Sequence, residues 1–215
     1  MTTVRPLESH FTSIADGVGN STHSGRRKFE ALGLLFIPLL TISGNLLVIV
    51  SVATVRSLQI AVNFLIMGLA IADLLVGSLV IPVAIYVLVN NNIWGFPPIF
   101  CDIYFAIDVT CSTASILTLT VISFDRFRAV SHPIEYSKQA NNIKRVGLIL
   151  AMVWLISLAT AVPLVLGLND ADGRYAPDYE CRLHDADYMI VSSTVSFGIP
   201  LVTVLFIYTR IFIAL

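Results

Sequence analysis

The chain has 215 residues, of which 56% are hydrophobic and 13% charged, with a mean hydropathy of +0.84 and a net charge of −1. A soluble domain carries about 25% charged residues, so this one is too apolar to hide its surface in one core, and its natural solvent is lipid. The charge balance argues against nucleic acid, because no basic patch exists to neutralise phosphates.

The amino-terminal stretch is polar through residue 28 and has no apolar h-region, so no cleaved signal peptide is expected and the first span serves as the targeting signal. Within it, Asn20-Ser21-Thr22 is a glycosylation sequon, usable only outside the cytosol. Residues 1–30 are expected to be an extracellular tail, and residues 31–215 a transmembrane domain. Five apolar stretches follow, approximately Ala31–Val55, Ile60–Val89, Ile99–Arg126, Val146–Leu168 and Tyr188–Leu215. Each is long enough for a helical crossing, which takes about 20 residues. An all-α bundle is expected, because lipid cannot satisfy exposed backbone groups and no alternating barrel strands occur. The connections are short except Asn169–Asp187, which is acidic.

Orientation follows the basic residues. Arg56, Arg128, Lys138, Lys144 and Arg145 lie in the linkers after spans one and three, while Asn90–Pro98 has none. The basic linkers are thus expected in the cytosol and the amino terminus outside. Arg26, Arg27 and Lys28 oppose this assignment; the sequon and the cysteines agree with it.

Ionisable groups inside spans are costly, by about 2.5–3.5 kcal/mol on insertion scales, so each is a functional candidate. Span two holds Asp73, either a carboxylate hydrogen-bonded within the bundle or a site for a hard cation such as sodium. In span three Cys101, Asp108 and Ser115 are spaced by sevens and share a face, with Cys111 and Ser112 at i+3 and i+4 from Asp108. This polar stripe should face the bundle. No Lys or Arg in the spans can serve Asp108, so its partner is a ligand ammonium unless it is neutral or bound to water. At the inner end stand Asp125 and Arg126. In span five Ser192 and Ser196 are one turn apart, placed either to bond adjacent hydroxyls of an aromatic ligand or to pack helices. Pro200 should kink that helix. Cys101 and Cys181 both lie on the oxidising side, where a disulfide can form; Cys111, mid-span, is expected to be a free thiol. No nucleophile–base or metal-ligand set occurs, so neither an enzyme nor a resident cofactor is expected, beyond a structural sodium ion at Asp73.

In order along the chain, Gly44-Asn45, Leu69-Ala70-Ile71-Ala72-Asp73, Cys101, Asp125-Arg126-Phe127, Trp154, Pro200 and Tyr208 resemble the class A (rhodopsin-like) family of G protein-coupled receptors. Any one of these is weak; the ordered set is specific. The resemblance runs from about residue 31 to the end and implies the first five helices of a seven-helix bundle. It implies a sodium and water network at Asn45, Asp73 and Ser115, a Cys101–Cys181 disulfide, and coupling of Asp125, Arg126 and Phe127 to a G protein. Phe127 departs from the family's usual tyrosine. Asp108 matches the aspartate that pairs with amine ligands. The segment Asp108–Leu117, with Val109, Cys111 and Ser112, is similar to a dopamine-receptor third helix, and 163–172 and Ser192–Phe197 are similar to the inhibitory branch of those receptors. Ser192, Ser193 and Ser196 then match its catechol-binding serines. The implied partners are a biogenic amine such as dopamine, an inhibitory heterotrimeric G protein, lipid and other receptor copies; the implied location is the plasma membrane. Because the sequence stops at Leu215, spans six and seven are absent from it. An alternative expectation is a truncated form that does not signal and at most associates with full-length receptor.

Overall fold

The structure, a computed structural model, describes residues 33–139, 142–168, 180–183 and 185–214. Asn20, the basic triplet 26–28, most of the acidic loop and Leu215 lie outside the described residues. Five helices are long and apolar enough to cross a bilayer: Phe36–Thr54, Ala61–Val89, Pro98–Ser131, Ile143–Gly167 and Ala186–Ile213. No strand occurs among the described residues. Span three is the hub, packing on spans two, four and five, while span one packs on span two.

Several boundaries differ from the sequence expectation, two of them with a clear local cause. Span three continues past Arg126 to Ser131. Asp125 and Arg126 do not stop a helix, whereas the residue before a proline is pushed out of the α region; His132, preceding Pro133, has φ −136° and ψ 65°. The following linker carries a short helix, Pro133–Gln139, that the sequence analysis did not anticipate. Span four starts earlier than expected, at Ile143, where the Asn142 side chain caps the helix by accepting from the Arg145 N–H at 3.1 Å. It ends at Gly167, whose φ of 100° suits glycine alone.

The prolines of spans two and five are met by the same device. Wide π turns cover Val76–Val80 and Thr194–Gly198, each ending two residues before a proline, Pro82 and Pro200. Proline has no N–H for the carbonyl four residues back, and its ring crowds that carbonyl. Widening the preceding turn relieves the clash. The tight link between spans two and three uses Asn91 and Asn92 at φ 56° and 65°, a left-handed conformation that Asn tolerates better than other non-glycine residues.

The core lies in three layers along span three. The inner layer joins Ala61, Leu65 and Val146, the middle one Ala72, Ala114 and Val153, and the outer one Trp94 and Cys101. Gly68 permits the close approach of spans two and four, since a Cβ there would sit 2.6 Å from Leu150 Cδ2. Large apolar side chains point outward, such as Leu47, Leu155 and Phe206. Lipid is the solvent that accommodates them.

Candidate functional site

The polar stripe of span three faces inward as its periodicity requires. Cys101 and Cys111 are buried, and Asp108, Ser112 and Ser115 are half-buried. The Ser112 hydroxyl donates to Asp108 Oδ1 at 3.3 Å, one turn away. The described span residues bearing a positive side chain, Arg126, Arg128, Lys144, Arg145 and Arg210, all sit at inner ends. Arg126 is 18 residues from Asp108, roughly 27 Å along the axis. Asp108 therefore presents a carboxylate, backed by one hydroxyl, in a polar strip without a cation of its own. Val109, beside it, is half-buried.

A turn and more below, Ser115 donates to Asp73 Oδ1 at 2.7 Å, joining spans two and three across 42 residues. Asn45 is not joined to that pair. Its amide donates to the Thr41 carbonyl at 2.9 Å, within span one.

At the Arg126 end of span three, Tyr136 of the linker helix donates to Asp125 Oδ2 at 2.9 Å. Burial, and then the neighbouring carboxylate of Asp125, push the Tyr136 hydroxyl above its ordinary pKa. Arg126 is exposed and forms no ion pair among the described residues, and Phe127 is half-buried. Tyr136 was not singled out from the sequence; a lone tyrosine in a polar linker carries no signal of its partner.

Span five departs in part from the helical-wheel expectation. Ser192 and Ser196 are half-buried and Ser193 is exposed. The Ser192 hydroxyl donates to its own helix, to Met189 O at 3.3 Å. Ser196 lies within the wide turn, and its Oγ is buried without a hydrogen-bond partner among the described residues. A buried hydroxyl left unpaired costs free energy, about 1–3 kcal/mol.

Over the outer end, Cys101 and Cys181 form a disulfide with Cα atoms 5.7 Å apart, and Cys111 is free and buried. The bond draws residue 181 onto an aromatic cluster of Trp94, Tyr104 and Phe105.

The geometry is that of a receptor bundle, with a polar stripe along span three, a mid-span carboxylate in span two and an exposed arginine at one end of span three. Residues 44–215 match the family model described as 7 transmembrane receptor (rhodopsin family). The chain belongs to that family of seven-transmembrane receptors. Within it, the chain is 56% identical over 87% of its length to "Dopamine receptor 2" of Caenorhabditis elegans and 49% identical over the same share to "Dopamine D2-like receptor" of Drosophila melanogaster. It is 44% identical over 80% of its length to "D(4) dopamine receptor" of Mustela putorius furo. It covers 22%, 20% and 47% of those relatives, respectively, and so spans between about a fifth and a half of their lengths. The similar proteins are receptors rather than enzymes.

Proposed function

We propose that this chain supplies the first five spans of a plasma-membrane receptor for a protonated catecholamine resembling dopamine, with its amino terminus outside and an inhibitory G protein as its transducer. The observation that carries this reading is Asp108, a half-buried carboxylate on the inward stripe whose hydrogen-bond partner is Ser112 and which has no basic partner in the spans. A carboxylate so placed favours a cation, and an ammonium ligand provides one. Ser192, Ser193 and Ser196 would meet the ring hydroxyls at the far end of the ligand, with Val109, Cys111 and Ser112 bordering the amine. The names of the relatives support the amine class.

Asp73 and Ser115 would hold a sodium ion. Their oxygens fit a hard cation, and their 2.7 Å contact places them together; Asn45 would have to turn from Thr41 to join them. At the inner end Arg126 would engage the G protein, with Asp125 and Phe127 beside it. Asn20 would carry a glycan.

The test is the intact receptor in cells free of other amine receptors. Dopamine should lower cyclic AMP, and blockade of inhibitory G proteins should abolish the response. Asp108→Asn should remove amine binding while surface expression stays near normal, because losing one member of a desolvated charge pair costs roughly 3–5 kcal/mol. Near-normal amine affinity in that variant would overturn the assignment.

A further inference from the structure

We infer that Tyr188 is a positioning residue that sets the distance of the span-five serines from Asp108, and thereby the preference for ligands with ring hydroxyls. This inference rests on the reading of those serines given above.

The tether begins with an irregularity in span four. In an α-helix the Thr160 carbonyl would accept from the N–H of Leu164. Here the Leu164 N–H bonds Ala161 O instead, where the helix loosens after Pro163. That frees the Thr160 carbonyl, and the Tyr188 hydroxyl donates to it at 2.7 Å across 28 residues. The other end of Tyr188 is fixed too, since its backbone N–H donates to the Asp185 cap at 2.7 Å. Span five therefore starts at a point pinned to span four through one phenol.

Tyr188, Ser192 and Ser196 follow at i, i+4 and i+8, and all three are half-buried. In this series Tyr188 is the member that reaches another span, because Ser192 bonds its own helix and Ser196 bonds nothing. Span four in turn packs directly on span three, which carries Asp108. Beside the direct packing of span five on span three, a second path from the amine site to the serine face thus runs Asp108, span three, span four, Thr160 carbonyl, Tyr188, Ser192 and Ser196. Loss of the phenol oxygen would let the outer half of span five move or rotate without removing any ligand-facing group.

The test compares dopamine with phenethylamine, which keeps the ammonium and the ring but lacks both hydroxyls, on the intact receptor. Counting sites with an antagonist radioligand corrects for expression. Tyr188→Phe should weaken dopamine by roughly two- to tenfold, the range of one neutral hydrogen bond, and leave phenethylamine within about twofold. In a background with Ser192, Ser193 and Ser196 all changed to Ala, Tyr188→Phe should have no further effect on dopamine. Pro163→Ala supplies an independent variant. By supplying the N–H that the Ala159 carbonyl lacks it favours a regular helix, in which the Leu164 N–H returns to the Thr160 carbonyl and competes with the Tyr188 hydroxyl for it, and it should reproduce part of the selective loss without adding to it. This second variant carries the test if Tyr188→Phe does not reach the surface. Equal losses for both amines, or full additivity with the serine changes, would overturn the inference while leaving the serine reading intact. A dopamine preference unaffected by the triple serine change would overturn the serine reading, and the tether's role with it.

Discussion

Replacing Ser115 with Ala removes the hydroxyl that donates to Asp73 at 2.7 Å. The bond is short and its acceptor is a carboxylate, so it belongs to the charge-assisted class. Hydrogen bonds to charged groups contribute about 1.5–3 kcal/mol net. For a chain of this size each kcal/mol moves the melting temperature by about 2–4 °C, so Ser115→Ala should lower it by roughly 3–12 °C. The pair crosses between spans two and three, which no local helix bond can replace. Asp73→Ala removes the acceptor. The cycle of wild type, S115A, D73A and the double variant should therefore show a coupling of about 1.5–3 kcal/mol. Unfolding of the detergent-solubilised receptor, followed with a thiol-reactive dye, suits this measurement because Cys111 is free and buried until the bundle opens. A coupling below about 0.5 kcal/mol, within the error of additivity, would refute a structural role for the bond.

Other outcomes are expected. Non-reducing peptide mapping should recover Cys101 joined to Cys181 and alkylate Cys111 only after denaturation; alkylation of Cys111 in the native receptor would count against its burial. Gly68→Val should cost about 1–3 kcal/mol, the range for overpacking, because its side chain enters the space of Leu150 Cδ2; an unchanged melting temperature would show that spans two and four can part freely. Tyr136 should ionise above the ordinary tyrosine value of 10.0. A pKa raised on folding means that its contribution is intact below the unfolded value and lost as pH rises through the folded one. The ultraviolet titration difference between wild type and Tyr136→Phe should therefore lie above pH 10.0, and a midpoint at or below that value would contradict the Asp125 contact. Expressed alone, the 215-residue chain should neither bind amines tightly nor activate a G protein, because its five spans leave Asp108, Ser115 and Asp73 only half-buried, and polar groups left partly uncovered within a membrane are costly; robust amine-stimulated signalling in cells lacking other receptors would refute this.

The spans were legible because twenty apolar residues have one stable form in lipid, and the inward stripe of span three was legible because Asp108, Ser112 and Ser115 repeat with the helix. What escaped were features decided by backbone groups. The Thr160 carbonyl is invisible in a string of side chains, so Tyr188 looked like any aromatic at a span's start. The wide turn before Pro200 was anticipated as a kink, but its place at Thr194–Gly198, and hence the setting of Ser196, depends on which carbonyl the proline deprives. Asn45 shows a different limit. Its type suits a polar network, yet its amide satisfies itself one turn back on Thr41. The extension of span three to Ser131 was missed because charge was taken as an end marker when proline was the real one.

The Cys101–Cys181 bond spans 80 residues of sequence, and those residues include most of span three, the linker that follows it and all of span four. The protein is therefore a covalent ring with two tails, threaded twice through the membrane. A protease that cuts the linker between spans three and four opens the ring but releases nothing, and the two pieces migrate as one molecule until a reductant is added. Loop-closure entropy alone would favour the native state of such a ring by about 4.5 kcal/mol over an open chain, an upper bound where the spans stay helical when they separate. Damage at one face of the membrane is thus held together by a bond made at the other.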